Sequence, residues 1–251
     1  MPAKVKVFVI GRPGSGKTTA VRRLMRLAEE RDWEATRIKD YNILYSMFQA
    51  EADTGYKRFR PTNHGGFDVV DFTVLDIALE QLEKIAKKQE SRKSLKDELI
   101  IIEFARNDYH EALKCFNPDF LRTSYFFFVD ADLEICIGRI RKRMVCPVED
   151  NHYVSEHIIK SYYNKDNREY MDRYLKEDYG IEKQRIETVY NMGSLQEFID
   201  DVDRFANTTF WQEVHKLEVV PALQQILVEQ NTTVLEAAGI SLSPITFVTS
   251  I

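Results

Sequence analysis

The sequence predicts an α/β fold, a five-stranded parallel sheet flanked by helices and carrying a phosphate-binding loop. Three observations predict it. Short apolar runs rich in β-branched or aromatic residues lie at 5–10, 35–38, 99–103, 125–129 and 185–190. Amphipathic stretches separate these runs, and such alternation argues for parallel strands joined by right-handed crossovers. A glycine-rich segment links the first run to the first amphipathic stretch.

The runs at 5–10, 99–103 and 125–129 are almost continuously apolar, as expected of strands buried on both faces. Helices are predicted over 18–31, over 71–89, over 133–143 and over 194–206. In the second of these, Phe72, Leu75, Leu79 and Leu82 recur at helical spacing. Two regions interrupt the alternation. Residues 43–71 contain Thr54, Gly55, Pro61, Gly65 and Gly66 and read partly as loop. Residues 144–179 are polar, aromatic and clustered in charge, and they read as a mobile helical lid. The predicted domain is therefore 1–206, with the lid at about 144–179. Residues 207–251 form a C-terminal extension, with a helix predicted around 221–229 and a strand-like run over 240–251.

Gly11, Arg12, Pro13, Gly14, Ser15, Gly16, Lys17 and Thr18 fit the pattern G-x-x-x-x-G-K-[ST] at every defined position. The pattern carries meaning because a strand precedes it and a helix follows. Its glycines let backbone amides turn inward as an anion nest, and the helix adds its positive end. Lys17 supplies a cation for the β- and γ-phosphates, and the Thr18 hydroxyl suits magnesium. Residues Gly11 to Thr19 are thus expected to bind ATP, or GTP, with Mg2+.

Further candidates lie at strand ends and on the helix after the fourth strand. Glu103 ends the third strand, and Asp40 follows the second. A carboxylate at the carboxyl edge of such a sheet is placed to hold magnesium or to take a proton from an acceptor hydroxyl. Asp40 equally suits a helix cap. Arg139 and Arg143, four apart, share a helix face and offer permanently charged planar forks. Asn191 opens a turn, Asn191-Met192-Gly193-Ser194-Leu195, in which Ser194 suits a helix cap. Arg58, Arg60 and Arg106 suit a phosphate or carboxylate on an acceptor. Tyr56, Phe59 and Phe67 suit a ring, and Asp68 and Asp71 suit hydroxyls. All of these also read as a solvated loop with some core aromatics.

Taken together, the loop, Glu103, Asp40, the Arg139/Arg143 pair and the Asn191 turn resemble the small-molecule and nucleotide kinases among P-loop proteins. The resemblance spans about residues 4–206. It implies an ATP-dependent phosphotransferase acting on a nucleoside, nucleotide or other small hydroxyl-bearing acceptor. It also implies that Asp40 faces acceptor and magnesium, and that Arg139 and Arg143 enter a lid to meet the base and the transferring phosphoryl group. The Asn191 turn would border the base. A toxin-like kinase, a polynucleotide kinase and a nucleotide-binding regulator that transfers nothing also fit. The run Asn164-Lys165-Asp166-Asn167 is not the guanine-reading motif of GTPases, because Asn167 stands where that motif has Asp and no apolar strand precedes it.

Composition narrows the partners. A net charge of −5 argues against general nucleic-acid binding. No apolar run is long enough to span a membrane. Cys115, Cys136 and Cys146 are an odd count without metal-ligand spacing, so reduced thiols and a cytoplasmic setting are expected. His152 and His157, five apart, do not share a helix face and are expected to be ordinary histidines rather than zinc ligands.

Overall fold

In the computed structural model the described residues are 2–62, 66–145 and 154–212. The chain enters through β1 (Lys4–Ile10), buried from Val5 onward, and turns through the glycine-rich loop into α1 (Lys17–Glu29). β2 (Glu34–Lys39) runs directly into α2 (Asp40–Ala50). A small antiparallel hairpin, β3 (Phe59–Pro61) and β4 (Phe67–Val69), precedes the long α3 (Thr73–Ser91). Then come the fully buried β5 (Glu98–Phe104) and two single-turn helices, α4 (Tyr109–Leu113) and α5 (Pro118–Arg122). β6 (Tyr125–Asp130) leads to α6 (Leu133–Val145), and α7 (Glu156–Ser161) follows. A π-helical turn, Tyr170–Tyr174, continues into α8 (Leu175–Tyr179). β7 (Ile186–Tyr190) and α9 (Leu195–Phe205) complete the alternation, and the turn Ala206–Phe210 extends α9.

The five long strands are parallel and ordered β2-β5-β1-β6-β7. Their register positions the site. Ile10 lies beside Phe104 of β5 and Phe128 of β6, and Lys39 lies beside Glu103. The loop after β1, the start of α2 and the end of β5 therefore meet at one edge of the sheet. The crossover leaving β1 goes one way and that leaving β5 goes the other. Strand order reversing in this way opens a crevice at the carboxyl ends.

One sheet face is an aromatic core. Phe8 stacks on Phe126 at 4.9 Å and meets Phe116 edge-on at 5.2 Å, while Leu75, Leu79 and Leu82 of α3 are buried in the same cluster. Each such side chain contributes about 1.5–3 kcal/mol on burial. On the other face α1 packs with α9, and Phe127 meets Phe205 at 4.9 Å. A reciprocal capping box holds the start of α9: Ser194 accepts from the Glu197 amide, and the Glu197 carboxylate accepts from the Ser194 amide at 2.7 Å.

Residues 43–71 are partly loop as expected, but they begin within α2 (Asp40–Ala50) and include the β3–β4 hairpin. Tyr41, Tyr45 and Phe48 pack alongside Ile43 and Leu44, so apolar side chains occupy more than one face and blur the helical period. In the second half of the expected lid, Met171 and Leu175 are fully buried in the main core, an apolar pair four residues apart among charged neighbours. The compact unit runs through Phe210, taking in the turn after α9. The calls at 221–229 and 240–251 lie outside the described residues. No helix among the described residues is long and apolar enough to cross a membrane. Cys115 and Cys136 are free thiols, and burial pushes the Cys115 thiol up to about 11.

Candidate functional site

The loop between β1 and α1 has a backbone that only glycine adopts without strain. At Gly16 φ is 122°, and a Cβ would fall 2.2 Å from Asn191 Nδ2. At Gly11 φ is 152°, and a Cβ would fall 2.2 Å from the Val129 carbonyl oxygen. Positive φ together with close approach explains both glycines. The loop is braced from behind. Asn191 Nδ2 donates to the Ser15 carbonyl at 2.7 Å, and Arg139 donates to the same carbonyl at 3.0 Å. Arg139 also donates to the Asn191 carbonyl at 2.9 Å and to Asn191 Oδ1 at 3.2 Å. The Asn191 amide donates to the Asp130 carbonyl at 2.8 Å. From the core side, the buried Tyr109 hydroxyl accepts from the Gly11 amide at 2.7 Å. Arg12 donates to the carbonyls of Ala131 at 3.2 Å and Lys165 at 2.8 Å.

In front of the loop lies the pocket. Its near wall is formed by Pro13, Gly14, Gly16, Lys17 and Thr18, and its floor by Asp40, Glu103 and Arg106 at the strand ends. Lys17 is 8% exposed and donates to the carbonyls of Gly11 at 2.7 Å and Arg12 at 3.1 Å. Burial holds its pKa below the ordinary lysine value, while Glu103 and Asp40 pull it back up. Both carboxylates thus act on the same ammonium, and the two strand ends converge as the register requires. Each also has its own arginine. Asp40 pairs with Arg106, whose guanidinium is buried and also donates to the Leu75 carbonyl at 2.7 Å. Glu103 accepts from Arg37 Nε at 2.7 Å. Arg143 lines the pocket and has no hydrogen-bond or ion-pair partner among the described residues. Burial, then repulsion from Arg139, lowers its pKa, so its charge gains from a nearby anion.

Tyr41, Phe67, Phe72, Tyr162 and Tyr163 give the pocket an aromatic lining, with Val154 and Ile158 near α7. The hairpin is tied to the start of α7, because Asp68 accepts from the Ser155 amide at 3.4 Å.

The structure brings Lys17, Thr18, Asp40, Glu103, Arg106 and Arg143 into one pocket and leaves other expected residues outside its lining. Arg139 and Asn191 serve as the brace behind the loop. Arg139 does not face the pocket with Arg143, because its guanidinium is taken up by the loop and β7–α9 turn carbonyls. Arg58 is held by Glu51, and Arg60 is exposed on β3. Thr19 sits in the first turn of α1, its amide donating to the Gly16 carbonyl at 2.9 Å. Phe59 is buried in the core, Tyr56 stacks on Phe48 at 4.8 Å, and Asp71 accepts from the Thr73 amide at 3.0 Å. His157 is exposed on α7, and His152 lies outside the described residues. Sequence reasoning missed Arg37, Lys39 and Tyr109. The alternation of Arg37 and Lys39 just before Asp40 was a usable signal, whereas nothing local marks Tyr109.

The donor set suits magnesium. Thr18 and the two carboxylates are hard oxygen ligands, and magnesium takes few protein ligands and completes its shell with phosphates and water. Among the described residues there is no group of three or more His, Cys, Asp or Glu that could hold a metal without such help.

No family model and no curated protein matches the chain. Solved structures of similar outline include the Mycobacterium tuberculosis APS kinase in complex with AMPPNP and APS, at 17% identity and TM-score 0.48, covering 82% of this chain and 99% of that one. They also include a gluconokinase from Sinorhizobium meliloti at 13% identity and TM-score 0.45, covering 84% and 99%. A shikimate kinase from Acinetobacter baumannii in complex with shikimate matches at 14% identity and TM-score 0.39, covering 81% and 93%. At such identities and TM-scores the likeness does not extend to an activity.

Proposed function

We propose that the chain is an ATP-dependent phosphotransferase acting on a small hydroxyl-bearing acceptor. One observation carries this reading: the glycine-rich loop, two strand-end carboxylates and a set of aromatic side chains line a single pocket. A donor at the loop and an acceptor beyond it would meet at Asp40 and Glu103.

In this reading the loop amides, Lys17 and Arg143 hold the donor phosphates of ATP or GTP. Thr18, Asp40 and Glu103 are the residues that would hold magnesium, which supplies charge neutralisation on the phosphates when bound. The acceptor O–H gives its proton to Asp40 or Glu103. A bond then forms from that oxygen to the γ-phosphorus as the bond to the β,γ-bridging oxygen breaks, its electron pair leaving with the nucleoside diphosphate. Arg106 and Arg37 keep the two carboxylates oriented. Catalysis of this kind is mostly positioning and preorganised charge.

Asp40→Asn and Glu103→Gln test it. Nucleotide affinity, measured by calorimetry, is expected to change little for at least one of them. Turnover of labelled ATP is expected to fall about 10²–10⁴-fold in whichever carries the base. Wild-type turnover in both variants would remove the carboxylates from the mechanism.

A further inference from the structure

The pocket lining combines charged and aromatic side chains. Phe72 and Tyr162 stack with centroids 4.5 Å apart and planes 15° apart. Tyr41 and Phe67 stack at 5.5 Å and 19°. Both pairs line the pocket, and Phe72 is 41% exposed. Cations also reach this region, but they are engaged. Arg106 directs its terminal nitrogens at Asp40 and at the carbonyls of Ala105 and Leu75. Arg37 holds Glu103, and Lys39 is likewise partnered. Arg58 is held by Glu51, and neither it nor Arg60 lines the pocket. Arg143, the lining guanidinium without a partner among the described residues, lies close enough to Lys17 to oppose its charge and so belongs with the glycine-rich loop.

An acceptor bringing its own phosphate or carboxylate would face Asp40 and Glu103, and among the described residues of the lining the cations not committed to a carboxylate, Lys17 and Arg143, lie with the glycine-rich loop. Like charges in a partly desolvated site repel, and that selects against such a ligand. A flat neutral ring meets aromatic faces, which suit offset or edge-on stacking. We infer that the acceptor is an uncharged alcohol carrying a flat aromatic or heteroaromatic ring, nucleoside-like rather than phosphorylated or carboxylated. The inference rests on the phosphotransferase reading above and narrows it to one class of acceptor.

The test pairs neutral with anionic acceptors. Adenosine, guanosine, cytidine, thymidine and pyridoxine are assayed against the four nucleoside 5′-monophosphates, gluconate and shikimate, with labelled ATP and magnesium. Binding of each is measured in parallel by calorimetry with a non-hydrolysable ATP analogue present. At least one neutral ring alcohol is expected to be phosphorylated with kcat/KM about tenfold or more above any anionic acceptor. Phe72→Ala, a change at a partly exposed ring outside the main core, is expected to raise that acceptor's KM about tenfold and leave the KM for ATP unchanged, as loss of one stacking face predicts. Equal or better use of a monophosphate, gluconate or shikimate overturns the inference while upholding the phosphotransferase. Binding of a neutral ring alcohol without transfer to any acceptor upholds the site chemistry and overturns the phosphotransferase. Binding of none of the neutral ring alcohols overturns the inference outright.

Discussion

Lys17 shows how a single buried charge links the loop to its chemistry. Burial lowers its pKa, so the ammonium loses its proton at a lower pH than an ordinary lysine. In the window between the lowered value and about 10.4, the folded chain binds fewer protons than the unfolded one, and folding stability rises with pH. Anion affinity moves the other way, because the charge that grips phosphate is lost. Nucleotide affinity is therefore expected to fall across that alkaline window in the wild type and to stay flatter in Lys17→Arg, as followed by calorimetric titration. The brace makes a second prediction. Asn191→Ala removes the donor to the buried Ser15 carbonyl and an acceptor for Arg139, and should cost about 1–3 kcal/mol in urea unfolding. Arg106→Ala leaves Asp40 buried beside an empty place and should cost about 3–5 kcal/mol by the same measurement. The loop residues were legible because their pattern is contiguous. Arg139 and Asn191 were legible as members of the site but not as its brace, since that depends on which carbonyls a guanidinium reaches once β7 and α6 are in place.

At the level of elements, strands were easier to read than the segments between them. β1, β5 and β6 announce themselves by continuous apolarity, which only a sheet covered on both faces demands. α2 was harder, because its aromatic residues pack in several directions. The stretch that ends in α8 reads as lid from its charges, which outnumber the two buried side chains that tie it to the core. Leu175→Ala should destabilise the protein by about 2–5 kcal/mol, as a buried leucine does. A cost near zero in thermal or urea unfolding would favour the lid reading for this helix. α7, by contrast, borders the pocket through Ile158, and it is around residues 154–163 that a lid is proposed.

The whole molecule places its chemistry by topology. β1 sits at the centre of the order β2-β5-β1-β6-β7, with β5 on one side and β6 on the other, so the loop after β1 shares an edge with Glu103 and Asp40. Alternating strands and helices predicted the sheet, but side-chain spacing alone carries no information on which strand neighbours which. Convergence of Asp40 with Glu103 was therefore a question that only the register answers. The same topology places the glycine-rich loop, the strand-end carboxylates and the aromatic residues in one pocket, which is the basis on which donor and acceptor are proposed. The most direct measurement is transfer of labelled γ-phosphate from ATP, with magnesium, to a panel of small hydroxyl-bearing acceptors by the wild type and by Lys17→Ala. Acceptor-dependent transfer by the wild type, lowered by orders of magnitude in the variant, is the predicted result. Tight nucleotide binding with no transfer to any acceptor, or equal transfer by both proteins, would contradict the account.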